Sequence, residues 1–269
     1  MGVLRTALRG PFVVAGAHLR VRILTLSAYR LVLLSQLAEP ITRASILSFL
    51  LRAIYSPAAE RVLPVPMTRA VSYVALAAFL GVFAGFNNAA SMAERVKSGD
   101  VVFDLLRPWS WFGLTLGEYM GTRLPFALWP FLALLGLTLG LGLGLAWSQY
   151  LTLLLLLPGV FILEFSLSFN IGTATLWTQN SWGLGLSFAW LQQLFSGLLV
   201  PIILLPESLG RVAYLTPFPY LVDAPVRAVL GLADIPGVLL GQAAWAAALM
   251  TIGAFLHLAA ISKLRVNGG

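Results

Sequence analysis

Chemistry at a site needs groups that exchange protons, attack an electrophile or hold a metal, and this chain offers few of them. It has no cysteine and two histidines among 269 residues, which removes disulfides and thiolate metal sites. His257 is solitary in an apolar stretch, where a lone imidazole reads as a hydrogen-bonded interior residue and not as a ligand. The acids Glu39, Glu118 and Glu164 and the cations Arg43 and Arg123 are scattered through apolar sequence. A membrane enzyme would need acid, base, nucleophile or metal converging at one depth, and these residues do not offer that. The two lysines, Lys97 after Val96 and Lys263 after Ser262, belong to no Gly-rich phosphate loop. Energy for any active process must come from another polypeptide or from a gradient.

Each isolated charge costs about 2.5 to 3.5 kcal/mol at the centre of a membrane helix, so each needs a partner. Glu39 and Arg43 lie four residues apart with the acid first, the favourable order for a helical ion pair, and Pro40 between them favours a kink. Glu164 has no local partner, and Glu118 and Arg123 lie in the segment leading into the third span, so pairing between spans is the expected solution for all three. The alternative is a gradient-driven carrier in which Glu164 is the coupling acid, since intramembrane acids mark ion paths.

The elements that carry these charges follow from composition. Hydrophobic residues make up 59% of the chain and charged residues 10%, with a mean hydropathy of +0.90, values that define an integral membrane protein. An all-α, polytopic fold with six transmembrane helices is expected, at Leu31–Leu51, Ala70–Ala90, Leu124–Trp147, Leu151–Asn170, Gly183–Leu205 and Ile235–Ile261, because about 20 apolar residues cross the hydrocarbon core. Together they form a single domain over residues 1–269. The net charge of +7 is sorted by side and is not gathered into a nucleic-acid face. Arg5, Arg9, Arg20, Arg22, Arg30, Arg95, Lys97, Arg107, Lys263 and Arg265 fall on one side, against Arg61, Arg69, Arg211 and Arg227 on the other, which places both termini in the cytoplasm.

Three segments outside the spans carry information. Residues 1–28 read as an amphipathic helix on the cytoplasmic interface, with Leu4, Leu8 and Phe12 at helical spacing and Arg5 and Arg9 turned to headgroups. A simple topogenic anchor is the plainer reading. Residues 91–112 form a charged loop in which Gly99 ends one helix, Asp100 caps the next and Pro108 limits it to two turns or so. Phe103, Leu105 and Leu106 give this short helix apolar teeth that either lie on the membrane or enter a partner's groove. The fifth span ends through Ser196, Gly197, Pro201 and Pro206, and residues 206–234 continue through Pro217, Phe218, Pro219, Pro225 and Gly231. That segment is too apolar for an ordinary loop and too broken for one helix, so it reads as a re-entrant or surface-lying extracytoplasmic cap.

The glycines at 81, 85, 136, 140 and 144 suit close helix packing. Phe165, Phe169, Phe188, Trp190 and Phe195 could line an apolar route, face lipid or fill a core.

In its ordered motifs the chain resembles the permease subunits of ABC-2 type exporters, in particular a bacterial subgroup of transport permeases. The resemblance runs from Arg95-Val96-Lys97-Ser98-Gly99-Asp100 to Asp104-Leu105-Leu106-Arg107-Pro108, then Ile171-Gly172 to Leu176-Trp177 and Phe195-Ser196-Gly197. It continues through Pro201, Pro206, Pro217-Phe218, Pro225 and Gly231, then Gln242 to Trp245, and closes at Val266-Asn267-Gly268-Gly269. One departure is Thr175-Leu176-Trp177, where relatives often carry Ala-Phe-Trp.

The resemblance implies two six-span permeases, each docked on a cytoplasmic ABC ATPase that binds ATP and Mg, with no cofactor held by this chain. ATP-driven closure of the ATPases then rocks the permease halves. By that analogy Phe103, Leu105 and Leu106 enter the ATPase cleft, and Glu94, Arg95, Gly99, Asp100, Asp104, Arg107 and Pro108 shape and orient the coupling segment. Ser196, Gly197, Pro201, Pro206, Pro217 and Phe218 form an extracytoplasmic gate. A multi-pass protein of the bacterial inner membrane is implied, exporting a hydrophobic or amphipathic drug, antibiotic or lipid-like cargo. Its expected partners are the ATPase, membrane lipid and a second permease, either the same chain or a diverged one. The carrier alternative would require an inverted repeat, and the halves show none.

Overall fold

A computed structural model describes residues 13–17, 19–21, 24, 30–54, 66–83, 111–140, 145–178 and 181–267. The coupling segment from Glu94 to Pro108 lies outside the described residues, as do Leu4, Leu8, Phe12, Arg5 and Arg9. The described chain is helical and, among its residues, has no strand. Its helices are α1 (Arg30–Ile54), α2 (Met67–Phe83), α3 (Trp111–Gly140), α4 (Trp147–Thr178), α5 (Ser181–Phe195), α6 (Glu207–Tyr214), α7 (Asp223–Val229) and α8 (Ile235–Asn267). Two 3₁₀ turns, Ile202–Leu204 and Phe218–Leu221, flank α6. Trp147–Ala174 and Ile235–Ala259 are long and apolar enough to cross a membrane.

The boundaries correct several sequence expectations. α3 begins at Trp111, so Glu118 and Arg123 lie within the helix and not in a segment leading to it. α4 continues to Thr178, past the expected end at Asn170, and runs through Pro158 as α1 runs through Pro40. α5 stops at Phe195 instead of Leu205. Its 15 residues fall short of the about 20 that a membrane-crossing helix needs.

Helix α2 is central. Every residue from Ala70 to Leu80 is buried, as expected for a helix apolar all round that is packed on every side. Its Tyr73, Val74, Leu76, Phe79 and Leu80 meet Leu153, Val160, Leu163 and Leu167 of α4 and Leu221, Val222, Val226 and Val229 of the broken segment in one core. Phe79 sets its ring edge-on to Phe131 of α3 at 6.4 Å, a favoured aromatic geometry. Helices α1 and α3 pack on other faces of α2.

The longest pairing joins α4 and α8. Gly159 faces Gln242, and Phe169 and Asn170 face Gly253, so contacts advance together along both helices and the pair runs parallel. A parallel pair within one chain needs a return crossing, and α5 with the segment after it supplies one. Close approach is real at Gly159 and at Gly241, where a Cβ would overlap Gln242 and the Tyr220 ring. It is absent at Gly136, which faces open space, so the expected glycine stripe does not hold there.

The N-terminal residues 13–17 are helical. Val14 is buried in a second cluster with Trp111, Leu114, Tyr119, Phe165 and Phe169, while Val13, Val21 and Leu24 are exposed.

Candidate functional site: the broken segment and its anchors

The backbone turns out of helix at Ser196-Gly197. Gly197 has φ +83°, a left-handed conformation that favours glycine, and a Cβ there would strike the Tyr73 hydroxyl. Pro201 and Pro206 then precede the first 3₁₀ turn and α6, and Pro217 precedes the second turn. In each place proline's fixed φ and missing N–H suit a helix start. Gly231, at φ +70°, ends α7, with the Leu232 amide donating to Arg227 O at 2.7 Å. Asp234 accepts from the Gly237 amide at 2.7 Å and caps α8.

The segment has two unlike halves. Helix α6 is largely exposed, with Leu209, Val212 and Leu215 turned outward and Glu207 paired with Arg211. The second half is packed inward: Phe218, Leu221, Val222, Ala224, Val226 and Val229 are all buried. Phe218 lies edge-on to Phe188 at 5.3 Å and stacks on Phe195. All six expected gate residues therefore fall in or beside one structure, with Ser196, Pro201 and Phe218 buried.

What fastens that structure is Asp223, a residue the sequence reading did not single out. Its side chain is 1% exposed and accepts hydrogen bonds from the Tyr73 hydroxyl at 2.8 Å and the Tyr214 hydroxyl at 2.7 Å. Arg227 stands 3.9 Å from the same carboxylate and donates to the Tyr214 oxygen. The Asp223 amide donates to Ser196 O at 2.9 Å, and the Tyr73 hydroxyl also lies 3.1 Å from Gly197 O. One residue thus ties α2, the end of α5, α6 and α7 together, through its carboxylate and its amide. Burial pushes Asp223 above the usual carboxylate range, against the hydrogen bonds of both tyrosines and the nearby Arg227. Burial and the Asp223 charge push Tyr214 up to about 12. An acid within an otherwise apolar run, subject to the same desolvation rule as Glu164, was the signal that could have found it.

The intramembrane charges fall into two groups. Glu39 and Arg43 form the expected pair at 2.8 Å on α1. Glu164 is buried and accepts from Gln192 Nε2 of α5 at 2.9 Å, with the Ser168 hydroxyl at 3.4 Å. Arg123 of α3 acts on Glu164 through space and donates to Val82 O of α2 at 3.1 Å. Its guanidinium also lies 6.0 Å from the Tyr119 ring centre, within cation–π range. Partnership between helices is what the sequence led us to expect for Glu164 and Arg123; Gln192 as the direct donor was not foreseen. Glu118 is half-buried on α3.

The aromatics do not share one route. Phe165 and Phe169 are buried against Phe112 and Tyr119, Phe188 and Phe195 pack on Phe218, and Trp190 is 58% exposed.

Two helices long and apolar enough to cross a membrane and buried charges held by partner side chains and backbone are what a helical membrane protein displays. Over residues 67–268 the chain matches the family described as ABC-2 family transporter protein, and it belongs to that family as a permease component of an ABC transporter. Among curated proteins and among solved structures, nothing matches it.

Proposed function

We propose that this permease is one half of an ATP-driven exporter of hydrophobic or amphipathic molecules, with residues 206–234 as its outer gate. The observation that carries the gate is the Asp223 anchor, because it fastens the broken segment to α2 through side chains that can part without unfolding either helix. Six spans with both termini in the cytoplasm, the arrangement the distribution of cations supports, put that anchor on the far side from the ATPase. The exposed apolar faces of α1, α4 and α8 suit lipid or a second permease.

Energy enters through the loop 91–112. Phe103, Leu105 and Leu106 seat in the ATPase cleft, and Glu94, Arg95, Asp100 and Asp104 set its register through rim charges. Closure of two ATP-loaded subunits moves the permease halves, and the movement reaches the gate through α2, whose Tyr73 holds Asp223. The ATPase does the hydrolysis, and the permease offers no nucleotide loop of its own.

Purification of the tagged protein in mild detergent tests this reading. An ATPase subunit with magnesium-dependent hydrolysis is expected to co-purify and to be lost in Phe103→Asp, while the variant keeps its expression and elution volume. Recovery of the folded permease alone, even after crosslinking, refutes the coupling.

A further inference from the structure

Beside the Asp223 anchor lies a cleft lined by Arg69, Tyr73, Ile203, Asp223, Arg227 and Leu230. Its open space of about 20 Å³ admits little more than one water, so nothing the size of a transported molecule fits inside. The charges at its mouth are unbalanced: two guanidiniums face one carboxylate, and that carboxylate already serves two tyrosines and Arg227. Arg69 makes no hydrogen bond or ion pair among the described residues.

Two further facts make Arg69 unusual. It sits in the first turn of α2, where the helix carries no acid and its partial positive charge disfavours a cation. Among the cations assigned to the outer side, Arg211 is paired with Glu207 and Arg227 with Asp223, and Arg69 alone of the described ones is left uncompensated. The walls other than the charged and tyrosine side chains, Ala70, Pro201, Ile203, Leu204, Leu230 and Leu232, are apolar, and Ile203 is 48% exposed.

We propose that Arg69 and Arg227 hold the phosphate of an anionic phospholipid of the outer leaflet, with its acyl chain lying over Ile203. Guanidinium forks match phosphate oxygens, and Arg227 has N–H groups beyond the one it gives Tyr214. The bound lipid neutralises the surplus cation and braces the start of α2 against α7 of the gate. This rests on the outward placement of the cap.

The test uses full-length protein in nanodiscs of equal parts phosphatidylglycerol and phosphatidylethanolamine, with retained lipid quantified by mass spectrometry after extraction into detergent. The native protein is expected to retain phosphatidylglycerol selectively. Arg69→Gln is expected to lower that selectivity about tenfold, as loss of a charge-assisted contact implies, while Arg69→Lys keeps part of it. Arg211→Gln, on the same surface, leaves it unchanged. Equal retention by the native protein and Arg69→Gln, or equal loss in both glutamine variants, overturns the site. Displacement of the lipid by inorganic phosphate alone overturns the lipid as ligand in favour of free phosphate. Because the chain has no cysteine, Leu215→Cys probed with an impermeant maleimide on intact cells reports sidedness separately. Labelling from outside is expected, and labelling only after permeabilisation overturns the outer placement, whatever the retention shows.

Discussion

Tyr73→Phe is the sharpest perturbation of the gate because it deletes one oxygen and leaves the ring in place. That oxygen donates to a buried carboxylate at 2.8 Å, and a hydrogen bond to a charged group contributes about 1.5 to 3 kcal/mol. Nothing else on α2 reaches Asp223 among the described residues, so a loss of about 2 kcal/mol should favour local opening of the segment by about 30-fold. A cysteine replacing Val226, which is 0% exposed, reports that opening, since it reacts with a thiol reagent only when α7 lifts away. The same substitution at Leu163, also fully buried, reports general unfolding. Tyr73→Phe is expected to speed labelling at 226 by about 30-fold and to leave labelling at 163 unchanged. Labelling at 226 within threefold or so of native would mean that apolar packing alone holds the segment, and equal acceleration at both positions would mean that the whole fold, not the gate, depends on Tyr73.

Three other outcomes are expected. Glu164→Gln should keep transport and folding, because the amide can still accept from Gln192 and a neutral side chain removes the cost of a buried charge; abolished export would revive the acid as a coupling group. Since burial raises Asp223 above its unfolded value, the native state binds that proton more readily, so its contribution to stability is present at low pH and is lost as pH rises through the folded value. The thermal midpoint should therefore fall more steeply with rising pH in the native protein than in Asp223→Asn, and identical slopes in a melting series would contradict this. Gly241→Ala should lower the midpoint by an amount corresponding to about 1 to 3 kcal/mol, because its methyl group overlaps the Tyr220 ring and the segment must shift; a native melting curve would show that Tyr220 yields freely.

Local rules read from sequence survived where the partner was also local. The Glu39–Arg43 pair needs only helical spacing, and the exit of α5 from helix was marked by Ser196-Gly197 and two prolines. The extent of α5 is not legible because apolar character continues to Leu205 after helicity stops at Phe195; burial and helix formation separate there. Gln192 beneath Glu164 and Tyr73 beneath Asp223 were not legible, the latter pair being 150 residues apart, since side chains that meet across helices leave no mark in spacing. The glycines behave alike: those at 159 and 241 matter because of what faces them, and Gly136, which faces open space, does not.

Two amides lock the parallel helices α4 and α8 in place along their length. Gln242 of α8 donates towards Leu156 O, at 3.5 Å, and to Tyr220 O, at 3.1 Å, while Asn170 of α4 donates to Leu249 O at 2.8 Å. The two clasps point in opposite directions, one amide reaching from each helix to the other's backbone. Sliding one helix past its neighbour by a turn, about 5.4 Å, would break both at once and strand carbonyls and amides where no water replaces them. These two helices are consequently expected to travel as one piece, a rigid blade, with flexing left to its seams with α2, α3, α5 and the broken segment that packs on it.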